Sequence, residues 1–60
     1  MENIETEVQD LIDSLTATLE DARKHDNGNN AAGTRVRKTM QACKTKAQAI
    51  RIRVQHDKNR

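Results

Sequence analysis

Apolar residues recur every three or four positions through the first half of the chain: Ile4, Val8, Leu11, Ile12, Leu15, Leu19 and Ala22. That period places them on one face of a helix. Ile12 and Leu19 widen the stripe beyond a two-stranded seam, toward a bundle face. A second series, Val36, Met40, Cys43, Ala47, Ile50 and Val54, is spaced 4, 3, 4, 3 and 4. This is an unbroken heptad seam, and Gly33 extends it upstream. Its residues are mostly small, so a facing helix can approach closely. Between the two series lies the chain's only turn cluster, Asp26-Asn27-Gly28-Asn29-Asn30. Gly28 or Asn27 can take the left-handed conformation that ends a helix. Asn29 or Asn30 can cap the next one, as Asn3 can cap the first. Acids at Glu2, Glu5 and Glu7 and cations at Arg23, Lys24 and His25 suit the two ends of the first helix dipole.

The pattern predicts an all-α fold. It is an antiparallel helical hairpin with helices over 3–25 and 30–56, joined by a turn over 26–29, in a single domain over 1–60. The stretch Ile50-Arg51-Ile52-Arg53-Val54 alternates with period two, as a strand would. The heptad continues through it and no partner strand is visible, so helix is preferred. Ile52 then lies on the outer face. A single core in so short a chain seldom supplies more than about 3–5 kcal/mol, and disulfides, metals or oligomerisation usually make up the difference. Cys43 is the only cysteine. It is expected to be a small packed residue, with no intrachain disulfide. His25, Cys43 and His56 match no zinc spacing. Oligomerisation remains: two hairpins, each with an uncovered apolar side, should dimerise into a four-helix bundle.

Charge changes the picture. Residues 1–30 carry eight acids against two bases, a net of −6, and residues 31–60 carry nine bases against one acid, a net of +8. The near-neutral total conceals a strongly basic segment that calls for a polyanion or an acidic partner. The chain has no aromatic residue and no proline. Single-stranded bases would therefore find no stacking platform, and a membrane surface none of its usual anchors. No apolar run approaches the roughly 20 residues of a membrane span, and the acidic start is not that of a secretory signal. A single free cysteine fits a reducing compartment. No nucleophile–base pair, paired buried carboxylates or phosphate loop can be assembled. An enzyme, a cofactor and a small-molecule substrate are not expected.

On the second helix Arg37, Lys44, Arg51 and Lys58 are seven apart and flank one side of the seam, while Lys46, Arg53 and Arg60 flank the other. Arg35 and Lys38 are expected further out, on a polar, acid-free face with Thr34, Gln41, Thr45 and Gln48. Such a face can lie along a phosphate backbone. The competing account is pairing within the chain. Bases beside a seam meet acids across it, and Glu5, Glu7 and Asp21 occupy matching positions on the first helix, with Asp10, Asp13 and Glu20 further out. On this reading Lys44 and Arg51 are partly occupied by acids, whereas Arg35 and Lys38 are free. Asn29 and Asn30, at the start of the second helix, are a further candidate phosphate contact. The candidate DNA-binding residues are thus Asn29, Asn30, Thr34, Arg35, Arg37, Lys38, Lys44, Arg51 and Arg53.

The stretch Gly28-Asn29-Asn30-Ala31-Ala32-Gly33-Thr34-Arg35-Val36-Arg37-Lys38 resembles a pattern in the linker-histone-like proteins of Chlamydia and their short bacterial relatives. There an acidic amphipathic segment leads into Gly-Asn-Lys-Ala-Ala and then a run with Arg-x-Arg. The matching positions are Asn29, Ala31, Ala32, Arg35 and Arg37. Asn30 stands where a lysine is usual, and the long Lys/Ala-rich tail of the chlamydial members is not present in these 60 residues. The resemblance implies a small helical protein that binds DNA and organises a genome, in the cytoplasm and at the nucleoid. With no base-reading motif, binding should be independent of sequence. Double-stranded DNA and a second copy of the chain are the expected partners. Charge alone does not separate RNA from DNA. The alternative is a coiled-coil adaptor that meets an acidic protein.

Overall fold

The computed structural model describes residues 3–59. It consists of two helices, α1 (Ile4–Asp26) and α2 (Asn30–Lys58), packed against each other as an antiparallel hairpin. The expected fold class is the observed one, and each helix runs a residue or two past its expected end. Both start on an asparagine cap. The Asn3 side chain accepts from the Thr6 backbone N–H at 2.8 Å, and that of Asn29 accepts from the Ala32 N–H at 2.9 Å. These bonds satisfy donors that the first helical turn leaves unpaired.

The turn between them is a Schellman motif. The Gly28 N–H donates to the His25 carbonyl at 2.9 Å and the Asn29 N–H to the Lys24 carbonyl at 2.9 Å. Gly28 takes the left-handed φ of 98° that this motif requires. Asn29 therefore ends one helix and caps the next, which is why three residues suffice to reverse the chain. Just beyond, the His25 ring lies where a Cβ on Gly33 would sit. The missing side chain at Gly33 lets the end of α1 close onto the start of α2.

The seam is not the one that the apolar periodicity predicts. On α2 it keeps Val36, Cys43 and Ile50, but Thr39, Lys46 and Arg53 alternate with them, half-buried, in place of Met40, Ala47 and Val54. On α1 it takes Ile4, Glu7, Leu11, Thr18 and Ala22, and leaves Val8, Ile12, Leu15 and Leu19 exposed. Among the described residues only Ala32 and Thr18 are buried, and the Thr18 hydroxyl donates to the Ser14 carbonyl at 2.8 Å. The physical reason lies in size and charge. Ser14, Thr18, Ala32, Thr39 and Cys43 allow close approach, and ion pairs close the edge, so the bulky aliphatics turn elsewhere.

Where they turn follows from helix geometry. Val8, Ile12, Leu15 and Leu19 each follow by one residue a position at the α1 seam, and Met40, Ala47 and Val54 do so on α2. One step rotates a side chain by about 100° about its axis. Because the two axes are antiparallel, these rotations turn to the same side of the hairpin. One broad face is thus apolar along its middle, with Arg37, Lys44 and Arg51, which follow Val36, Cys43 and Ile50 by one residue, along its α2 edge. The hairpin beneath it is thin, with extents of 49 × 15 × 15 Å. Its radius of gyration is 14.3 Å, against about 10 Å for a compact chain of this length.

Candidate nucleic-acid interface

Among the described residues, three ion pairs cross the seam. Arg35 donates through Nε and an Nη to one oxygen of Asp21, at 3.1 and 2.9 Å. Arg53 Nη1 lies 2.8 Å from Glu7 Oε2, and Lys46 Nζ lies 3.7 Å from Asp10 Oδ2. Asp10, Asp21 and Arg35 each precede a seam residue by one position, so the Asp21–Arg35 and Asp10–Lys46 pairs lie toward the side opposite the apolar face, while Glu7 and Arg53 sit in the seam itself. The Arg35 hydrogen bond holds the Asp21 carboxyl below its ordinary value, with the charges of Arg35 and Lys24 adding to it against some desolvation. The same bond raises Arg35.

This corrects the expected placement of several bases. Arg35 does not lie away from α1: it is tied to it. Arg53 is likewise engaged. Lys44 and Arg51, expected to be occupied in part by acids, have no carboxylate within 4.0 Å among the described residues. The Arg51 Nε–H instead reaches Gln48 Oε1 at 3.4 Å. The acids are also reassigned, since Asp10 joins Glu7 and Asp21 at the seam while Glu5 does not. The signal was available in the sequence. Residues equally distant from Gly28 face each other in an antiparallel hairpin, and Asp21 with Arg35 and Asp10 with Lys46 satisfy that rule.

The remaining candidates fall into two groups. Asn29 spends its side-chain oxygen on the cap, and Asn30 is exposed beside it. Thr34, Arg37, Lys38, Lys44 and Arg51 are all exposed on α2, pointing away from α1. Thr34 and Thr45 return their hydroxyls to the Asn30 and Gln41 carbonyls at 3.4 and 3.3 Å, so they add little bulk or competition. Gln41, Lys44, Thr45 and Gln48 line a shallow depression along this surface. Arg37, Lys44 and Arg51 repeat along the axis at about 10.5 Å, the rise of seven residues. The outer side of α2 therefore carries exposed cations that have no carboxylate within 4.0 Å among the described residues, with small polar groups between them.

Among the described residues no cluster of three or more His, Cys, Asp or Glu could hold a metal ion. No described helix is long and apolar enough to cross a membrane.

An acidic helix clamped to a basic one, with the basic helix left open on its outer side, defines a small helical protein whose free surface suits a polyanion. The chain belongs to the family of histone H1-like protein Hc1, whose family model matches residues 1–60. No curated protein and no solved structure matches the chain. Family membership makes it a histone-like, DNA-binding, nucleoid-associated protein, a non-enzymatic kind.

Proposed function

We propose that this chain binds duplex DNA without sequence preference, through phosphate contacts from the outer face of α2 made by Arg37, Lys38, Lys44 and Arg51. The observation that carries this reading is how the cations of α2 divide. Arg35, Lys46 and Arg53 are spent on α1. Of the other five, Lys58 lies in the last turn, and Arg37, Lys38, Lys44 and Arg51 are exposed with no carboxylate within 4.0 Å among the described residues. Cations already neutralised by a carboxylate release few counterions from DNA, whereas free ones release about one each. Asn30 stands beside them and offers a neutral side-chain amide N–H to the backbone, while the Thr34 hydroxyl proton is spent on the Asn30 carbonyl. No aromatic or bidentate base-reading constellation accompanies them, so contacts fix position and not sequence. Self-association through the apolar face belongs to the same reading, because the seam buries too little to support the hairpin alone.

The test is binding to random-sequence duplex DNA as salt is varied. Four contacts per hairpin give a log–log slope of about −3.6. An affinity that ignores salt, or no binding at low salt, would favour an adaptor for an acidic protein.

A further inference from the structure

We infer that α2 lies in the major groove of the duplex, with the side-chain amides of Gln41 and Gln48 against the base edges and cations reaching the phosphates on both sides. The inference rests on the DNA-binding reading and names the surface of DNA that the helix occupies.

What carries it is where charge is absent. The α2 seam runs through Val36, Thr39, Cys43, Lys46 and Ile50. Gln41 stands two residues from both Thr39 and Cys43, and Gln48 stands two residues from both Lys46 and Ile50. Two steps turn a side chain by about 200° about the helix axis, so both glutamines point away from α1. Thr34 and Gln55 continue the same line, seven residues to either side. The outermost ridge of α2 is therefore exposed and wholly neutral. The cations stand beside it. Arg37, Lys44 and Arg51 follow seam residues by one position and flank the ridge on one side, and Lys38, which precedes Thr39, flanks it on the other. A helix laid flat on one strand of phosphates would carry its cations on the ridge itself. A helix set between two strands carries them on its flanks and keeps hydrogen-bonding groups for the floor.

The dimensions agree. An α-helix with its side chains is about 10–12 Å across, and the major groove is about 12 Å wide and about 8.5 Å deep. The minor groove, about 6 Å wide, does not admit it. Asp10 and Asp21 are held at the seam by Lys46 and Arg35, on the far side of α2 from the ridge, so these acids stay clear of the groove floor. The Gln48 amide is also arranged for the task. Its Oε1 accepts from the Arg51 Nε–H at 3.4 Å, which leaves its own N–H groups to donate. An N–H donor meets the N7 acceptor that the purine of every base pair turns to the major groove. The helix thus enters the groove without selecting a sequence.

The test compares two random-sequence duplexes of equal length and phosphate charge, one of which carries glucosylated 5-hydroxymethylcytosine. The glucose fills the major groove and leaves the minor groove open. The wild-type chain should bind the glucosylated duplex about tenfold more weakly at one low salt concentration, because both glutamine contacts are lost. Gln41→Ala with Gln48→Ala should lose about tenfold on the plain duplex and little more on the glucosylated one. Its salt slope should stay at the wild-type value, since no charge is removed. Both residues are exposed, so its melt should match that of the wild type. Equal binding of the wild-type chain to both duplexes overturns the inference and leaves the DNA reading standing. A glutamine variant that binds the plain duplex as the wild type does overturns it too, because the ridge then stays out of the groove. If neither duplex is bound even at low salt, the DNA reading itself fails and the groove assignment falls with it.

Discussion

Removing Lys38 and Lys44 together separates the phosphate row from the seam more cleanly than any other change. Both side chains are exposed, and neither meets a carboxylate among the described residues. With four contacts, affinity should fall about 150-fold between 50 and 200 mM salt, from a slope of about −3.6. Lys38→Ala with Lys44→Ala leaves two contacts, a slope of about −1.8 and a fall of only about 12-fold over the same range. Stability should be nearly unchanged, because surface substitutions away from specific contacts cost within about 0.5 kcal/mol. The companion variant, Arg35→Ala with Arg53→Ala, removes two bases of the same helix but from the seam. It should lower the melting temperature and leave the salt slope near its original value. The assay is a fluorescence anisotropy titration on random-sequence duplex at four salt concentrations, with one thermal melt by circular dichroism for each protein. If the seam pair flattens the slope and the outer pair does not, Arg35 and Arg53 release their acids to bind phosphate. The division of cations argued from the ion pairs would then be refuted.

On the proposed self-association through the apolar face, Leu15→Asp should dissociate and unfold the protein together, since a charge trapped between two hairpins would cost several kcal/mol. Leu15 is 41% exposed in the single hairpin, so a small loss in the melt would show that nothing covers that face. Gly33→Ala improves helix propensity by about 1 kcal/mol but displaces the His25 ring. The gain should appear in full only when His25→Ala accompanies it, as a double-mutant cycle of melts would show. The Asp21 carboxyl titrates below its ordinary value of 3.8. Its pair with Arg35 therefore contributes fully above that pH and is lost as pH falls through the lower folded value. Asp21→Asn should remove this part of the acid destabilisation in melts between pH 5 and about pH 2. Gly28→Ala forces an alanine into a left-handed conformation at φ 98° and should cost about 1 kcal/mol in a denaturant titration.

Much of this protein was legible in the residue order. Two apolar periodicities of helical type, one Gly/Asn turn cluster and the absence of any strand partner leave little besides a helical hairpin. Asn3, Gly28 and Asn29 announce its ends, because capping and chain reversal depend on backbone conformations that few residues provide. The charge separation between the halves is a property of sequence alone, and so is the polar, acid-free character around Thr34, Gln41, Thr45 and Gln48. Local rules reach that far because each concerns residues within one or two helical turns.

The rotation of each helix about its own axis was decided only by the tertiary structure. Periodicity says that Val36, Met40, Cys43 and Ala47 lie near one another, but it does not say whether Met40 or Thr39 enters the seam. That choice balances close approach of small residues and three cross-helix ion pairs against burial of larger aliphatics on a second face. A step of one residue turns a side chain by about 100°, enough to carry Arg35 from the expected open face onto Asp21 and to leave Lys44 and Arg51 unpaired. What the sequence could not place was which bases of α2 pair with α1, because pairing depends on the angle between two helices, which neither helix encodes by itself.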